Sequence, residues 1–234
     1  MNVKLVSYSK PSDQFKFDTG MESLEELVAY CARVSNPSNQ LNSNVTKLIQ
    51  YLVNNKHWSP LEMVSITLEI ETTRDIARQI LRHRSFSFQE FSQRYADPTK
   101  ELNFEMREAR LQDMKNRQNS IQTNDLELSK LWDIHQEELI NQAKESYAWA
   151  IKHGIAKEQA RVVLPEGLTQ SRMYMAGTLR SWVHYIQLRS ANGTQKEHME
   201  IARRCGEVIE EVFPMMNDLL KVIDYNIPTL YPKD

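Results

Sequence analysis

From Val64 to Glu71 the chain alternates between apolar side chains (Val64, Ile66, Leu68, Ile70) and polar ones (Ser65, Thr67, Glu69, Glu71). A period of two is the mark of a β-strand, and no other stretch of the chain shows it as cleanly. Thr72 and Asp75 follow with the spacing of a capping box. A helix is therefore expected to open there and carry Ile76, Ala77, Ile80 and Leu81 toward the core. The fold class expected is α/β (α+β), with helices packed around a small central β-sheet.

The remaining elements are read around that strand. Val3 to Tyr8 alternates and reads as a short strand, and Pro11 to Gly20 reads as a loop. Leu24, Leu27, Val28 and Cys31 mark a helix over residues 22–34, with Cys31 as a small buried hydrophobe. After a polar loop from Asn36 to Asn44, the residues Val45, Leu48, Ile49 and Leu52 mark a second helix ending near Asn54 and Asn55. Asp97 to Asn124 is polar and without clear period, a surface excursion with some helix. Leu126 to Ile151 is a long helical pattern carried by Leu128, Leu131, Ile134, Leu139, Ala143, Tyr147 and Ala150, with His135 and His153 expected in solvent. A short helix ends at Pro165, and Ser171 to Leu188 is expected to be helical throughout. Thr194 and Glu197 have capping-box spacing and should open the last long helix, with Ile201, Cys205, Val208, Ile209 and Val212 facing inward.

A chain of 234 residues, 41% hydrophobic and 26% charged, is expected to form a single compact domain over 1–234. The formal net charge of -2 argues against a general nucleic-acid binder. Cys31 and Cys205 form no CxxC pair and no histidines cluster at ligand spacing, so neither a metal site nor a disulfide framework is expected. No secretory leader and no apolar run of membrane-spanning length is visible. The expected location is the cytoplasm, or the host cytoplasm if the chain is viral, with no membrane partner.

The segment from Arg82 to Tyr95 concentrates chemistry: Arg82, His83, Arg84, Glu90 and Arg94 stand among serines and phenylalanines. Guanidiniums so close together repel unless an anion sits between them, and their planar donor forks suit phosphate or carbonyl edges. Gln79 and Arg82 project from one polar ridge of the preceding helix, and Ser85 to Tyr95 is read as an ordered loop folding back over it. Two readings are open on the residues alone: a phosphorylated heteroaromatic ligand site, or a single-stranded nucleic-acid platform using Arg82, Arg84, Phe86, Phe88, Phe91 and Arg94.

The order Arg82-His83-Arg84, a spacer from Ser85 to Phe91, then Ser92 and Arg94, resembles the signature of the flavin-dependent thymidylate synthases. The resemblance extends over residues 45–95 and 157–222. It includes His57-Trp58-Ser59-Pro60, the run Ala160-Arg161-Val162-Val163-Leu164-Pro165, and a second signature from Arg189 to His198. It implies reductive methylation of dUMP to dTMP, with 5,10-methylenetetrahydrofolate as carbon donor, FADH2 as hydride donor and NADPH as reductant. It also implies a homotetramer with active sites shared between subunits. Carried over onto this chain, Gln79, Ile80, Leu81, Arg82, Glu90, Phe91, Ser92, Gln93, Arg94, Arg161 and Arg189 would hold dUMP. His57, Ser59, Arg82, His83, Arg84, Thr178, Leu179, Arg180 and His184 would hold FAD.

Methylating uracil at C5 requires an electron-rich pyrimidine. One route adds a thiolate; the other stabilises negative charge at N3 and its flanking carbonyls. Neither cysteine lies in the arginine-bearing signature segments, so Arg189, at a turn between two helices, is the catalytic candidate and no cysteine nucleophile is expected. Ser92 has no general base at fixed spacing and is assigned to substrate binding.

Overall fold

A computed structural model describes residues 1–221; the last part of the expected domain, residues 222–234, lies outside the described residues. In chain order the elements are β1 (Asn2–Tyr8), α1 (Asp13–Thr19), α2 (Leu24–Ala32), α3 (Val45–Asn54), β2 (Ser65–Thr73), α4 (Arg74–Ile80), β3 (Ser87–Glu90) and α5 (Pro98–Glu101). There follow β4 (Arg110–Gln112), β5 (Ser120–Gln122), α6 (Leu126–Lys152), α7 (Lys157–Ala160), β6 (Gln170–Thr178), α8 (Leu179–Arg189), α9 (Lys196–Glu210) and α10 (Met216–Lys221). Short 3-10 turns occur at Pro37–Asn39, Ser59–Met63 and Arg161–Val163.

The expected strand is β2, and it lies at the centre. The four-stranded antiparallel sheet has the order β1-β2-β6-β3, and β2 pairs with β6 in unbroken register from Ser65↔Thr178 to Thr73↔Gln170. Ile66, Leu68 and Ile70 all point to one face and are fully buried against α8 and α9 with Met173, Met175, Trp182, Ala202 and Cys205. The Trp182 indole N–H donates to the Ile66 carbonyl at 3.1 Å, so the largest core side chain leaves no orphan donor. Truncating such a residue, Leu68→Ala for example, removes about 2–5 kcal/mol. A smaller cluster of Tyr147, Ala150, Ala160 and Leu164 fixes α6 and α7.

Several expectations are corrected. Ser171 to Leu188 is not one helix: Gln170–Thr178 is strand β6, and α8 begins only after it. Buried Ser171, Met173 and Met175 alternate there with Arg172 and Tyr174, and Thr178 caps α8 by accepting from the Ser181 N–H at 3.3 Å. The supposed loop Ser85–Tyr95 contains β3, which adds to the edge of β6 in register Ser87↔Ala176 to Glu90↔Met173. Within Pro11–Gly20 a helix forms, capped by Ser12 and closed by Gly20 at φ 71°.

Neither expected capping box exists. Thr73, not Thr72, caps α4, and its hydroxyl turns to Asp75 at 2.6 Å while Arg107 donates to both. Gln195, not Thr194, stands at the N-cap of α9, without a side-chain capping bond, and the Glu197 carboxylate is turned to Arg110. A capping box does form at Ser23 and Glu26, opening α2. Leu81 is half-buried at the end of α4, and Leu128, Leu131, Ile134 and Leu139 of α6 are exposed while Ile140, Ala143, Tyr147 and Ala150 are buried. His135 and His153 are exposed as expected.

Candidate functional site

The expected residues fall into three groups. The first gathers where α4 ends, α8 ends and α9 begins. Arg189 closes α8 and donates through Nε to Nε2 of His83 at 2.9 Å. An acceptor nitrogen must be unprotonated, so His83 is the neutral Nδ1–H imidazole. Burial, then the Arg189 and Arg82 charges, pushes its pKa down to about 4. The terminal nitrogens of Arg189 meet no protein partner among the described residues. Gln79 lies alongside, donating to Gln195 at 2.8 Å and facing His198 at 3.2 Å. His198 is fully buried, and burial followed by the Arg189 and His83 charges lowers its pKa to about 3. Tyr185 meets His83 edge-on at 4.9 Å, and its own pKa is pushed well up by burial. Ile80, expected at this ligand, is fully buried in the core.

The second group lies beyond the sheet edge. Glu90 accepts from the Ser171 hydroxyl at 2.7 Å and pairs with buried Arg74 at 3.5 Å. The Phe91 N–H donates to the Arg172 carbonyl at 2.8 Å, extending the β3 pairing by one residue. In the turn that follows, the Arg94 amide donates to Ser92 Oγ at 3.4 Å. Gln93 is buried, and its side-chain NH2 has no partner among the described residues. Arg94 pairs with Glu158 at 3.3 Å, and Arg161 Nε donates to the Glu158 carbonyl at 3.3 Å. Arg94 and Arg161 thus meet at one residue of α7.

The third group surrounds the start of α8. Arg180 is ion-paired with Glu62, and the His184 ring meets Trp58 edge-on at 4.4 Å. Burial, then Arg180, lowers the His184 pKa. His57 meets Tyr51 at 5.9 Å, and Ser59 opens the 3-10 turn that carries Glu62. Thr178 is committed to capping α8, and Leu179 is fully buried. Arg82 and Arg84 are exposed and have no carboxylate partner among the described residues.

The chain brings His83, Arg189 and Gln79 together, and separately Arg94 with Arg161. It does not unite the first group with the third: at a rise of 1.5 Å per residue, Arg180 and Arg189 stand about 14 Å apart along α8. Nor does it form the stacking platform considered above. The Phe86 ring lies against Trp182 at 4.8 Å and over Gly177, where an added Cβ would fall 2.4 Å from the ring. Glu62, Tyr185, Gln195, Glu197 and His198 have no expected role at a ligand, and Glu197 is expected only as a helix cap. Three of them stand inside the Arg189–His198 signature, where polar residues at a helix start read as caps.

A family model described as thymidylate synthase complementing protein matches residues 19–215. The chain is 46% identical over 226 residues to a probable flavin-dependent thymidylate synthase of Paramecium bursaria Chlorella virus 1, covering 96% of this chain and 100% of that one. It is 49% identical over 214 residues to a flavin-dependent thymidylate synthase of Synechocystis sp., covering 92% and 96%. A solved UMP/dUMP methylase, PolB from Streptomyces cacaoi bound with 5-Br dUMP, shares the fold with a TM-score of 0.75 at 24% identity over 97% of each chain. Both signatures and the fold therefore lead to one conclusion: the chain belongs to the flavin-dependent thymidylate synthases.

Proposed function

We infer that the protein converts dUMP to dTMP by reductive methylation, and that Arg189 is the residue that activates the pyrimidine. The observation that carries this is the Arg189–His83 bond: a neutral acceptor fixes Nε and leaves the two terminal amines, with an uncompensated positive charge, for a ligand. Such a fork, held before the ligand arrives, stabilises negative charge developing at N3 and its flanking carbonyls. No thiolate is at hand for the alternative route. Cys205 is fully buried, Cys31 half-buried, and burial pushes both thiols up.

We assign the same residues as the family resemblance implies. Gln79, Arg82, Glu90, Phe91, Ser92, Gln93, Arg94, Arg161 and Arg189 hold dUMP, with Ile80 and Leu81 contributing through their backbone. The unpartnered Gln93 amide, and Arg94 and Arg161 each bonded to Glu158, support the phosphate end of that assignment. The chain also fits FAD: Arg82 and Arg84 offer exposed guanidiniums to a pyrophosphate, and the edge-on Trp58–His184 contact and the Arg180–Glu62 ion pair hold His184 and Arg180 in fixed orientations at the start of α8. His57, Ser59, His83, Thr178 and Leu179 complete the assigned flavin set. When bound, reduced FAD supplies the hydride, 5,10-methylenetetrahydrofolate the carbon, and NADPH the reducing equivalents.

We further propose a single domain over 1–234 that assembles as a homotetramer with shared sites. Assigned residues divided between the two ends of α8 support this, as does the exposed apolar row Leu128, Leu131, Trp132 and Leu139 on α6. Two free cysteines fit the reducing cytoplasm. No helix among the described residues is long and apolar enough to cross a membrane. The test is to reconstitute the protein with FAD, pass it through gel filtration, titrate it with dUMP while recording the visible spectrum, and then assay dTMP formation. Retained flavin whose bands shift saturably with dUMP is expected; flavin indifferent to dUMP would remove this reading.

A further inference from the structure

Five hydrogen bonds run in one line through the first group: Tyr185 to His198, His198 to Gln79, Gln79 to Gln195, Gln195 to Glu197, and Arg110 to Glu197. Their directions are not independent. A carboxylate only accepts, so the Gln195 atom 3.0 Å from Glu197 Oε2 has to be the NH2 group. That turns Gln195 Oε1 toward Gln79, and the Gln79 atom 2.8 Å away must in turn be its own NH2. Gln79 Oε1 then faces His198 Nδ1 at 3.2 Å, which requires a proton on Nδ1. His198 Nε2 is left as an acceptor for the Tyr185 hydroxyl at 3.2 Å. Reversing any one amide sets two acceptors face to face, and the burial of Glu197 and His198 makes that expensive.

The geometry points to Glu197 as a positioning residue for substrate recognition: held by Arg110, it sets the Gln79 amide so that its outward N–H meets a hydrogen-bond acceptor of the nucleotide. This rests on the proposed role of Gln79 in holding dUMP. One Gln79 amide hydrogen is used by Gln195, and the second is the only function left at that nitrogen. The nucleotide atom facing it is therefore an oxygen, of a ring carbonyl or of the phosphate, and never an amino group. Glu197 does this without touching the ligand, through Gln195. The low proton affinity of His198, pushed to about 3 mainly by its burial, keeps the line directional at neutral pH, since an imidazolium would donate at both ends.

The first test needs no ligand. In wild-type protein with 15N-labelled histidine rings, the His198 signals, assigned by their loss in His198→Gln, should show a protonated Nδ1 and an unprotonated Nε2. A protonated Nε2 with a bare Nδ1 would overturn the inference whatever the enzyme does. The second test uses Glu197→Gln, whose side chain can donate as well as accept. Both His198 tautomers should then appear, and the dUMP dissociation constant should rise about tenfold with FAD retention unchanged; a single tautomer and unchanged dUMP affinity would sink the proposal. Deoxyuridine and dCMP separate the two oxygens. If the partner is the C4 carbonyl, which dCMP replaces with an amino group, Glu197→Gln narrows the preference for dUMP over dCMP; if it is the phosphate, it narrows the preference for dUMP over deoxyuridine. A variant that narrows neither preference and binds dUMP as tightly as wild type would also overturn it. Failure of wild-type protein to bind dUMP at all would instead strike the function reading and leave the tautomer result standing.

Discussion

Helix α8 carries an assigned arginine near each end, and the two are held differently. Arg180 sits against the Glu62 carboxylate, so the pair presents orientation with little net charge. Arg189 sits against the neutral His83 ring, so its charge stays whole. The contrast separates two tasks that the same side chain can perform. A cofactor that is to be held in place is served by a neutralised, stiffened fork. A substrate that must become anionic is served by a fork whose charge has no counter-ion in the protein.

The largest expected effect is at Arg189. Arg189→Lys keeps the charge but cannot keep both the His83 bond and a two-pronged fork. Turnover should fall on the order of 10²- to 10³-fold while FAD is still retained. A loss below tenfold would mean that charge alone suffices and the contrast with Arg180 is empty.

Acidification probes the neutral partner. The folded pKa values of His83 (about 4) and His198 (about 3) lie below the ordinary 6.5, so between those limits the unfolded chain binds more protons than the folded one. Their contribution to stability is therefore whole above pH 6.5 and is lost as the pH falls toward 4 for His83 and toward 3 for His198, with a slope of at most about 1.4 kcal/mol per pH unit for each imidazole. Urea denaturation at a series of pH values, on wild type and on a His83→Gln, His198→Gln double variant, checks this. The variant should show the flatter dependence.

At the other end of α8, Glu62→Gln leaves Arg180 charged and loosely held. FAD affinity should fall about tenfold with little change in turnover at saturating flavin. Tighter flavin binding would show instead that Glu62 only masks Arg180. The smallest effect is expected for Ser92→Ala: turnover lowered several-fold and not abolished, in keeping with the loss of roughly 1 kcal/mol for one hydrogen bond. Complete loss with dUMP still bound would make Ser92 chemical rather than positional.

How far these features could be read in the sequence depended on where each residue's partner lies. Arg82, His83, Arg84, Ser92 and Arg94 are legible because neighbours in the chain carry the pattern. Strand β2 is legible because its polar residues face outward and its apolar ones inward. Strand β6 breaks that rule: Ser171 is polar yet buried, satisfied by Glu90 from the next strand, and exposed Tyr174 is large and aromatic. The period-two signal is inverted at one residue and diluted at another, so a helix was the natural reading. β3 is four residues long and is a strand only because β6 lies beside it. The line from Tyr185 to Glu197 was invisible for the same reason. Glu197 and His198 have the residue types of a helix start, and only burial against Arg110 and Tyr185 reveals what they do.

The partners that build the first group are also remote in sequence: His83 and Arg189 are separated by 106 residues, Gln79 and Gln195 by 116. Bringing them together requires closing a loop of roughly a hundred residues, an entropic cost that is met only once β2 has found β6. Such high contact order makes folding slow, while α6, whose helical backbone bonds are all local, can form within microseconds. The substrate site is accordingly among the last parts of the molecule to exist during folding. A nascent chain interrupted before β6 would hold every residue of the Arg82-His83-Arg84 signature and yet have no Arg189 to give it chemistry.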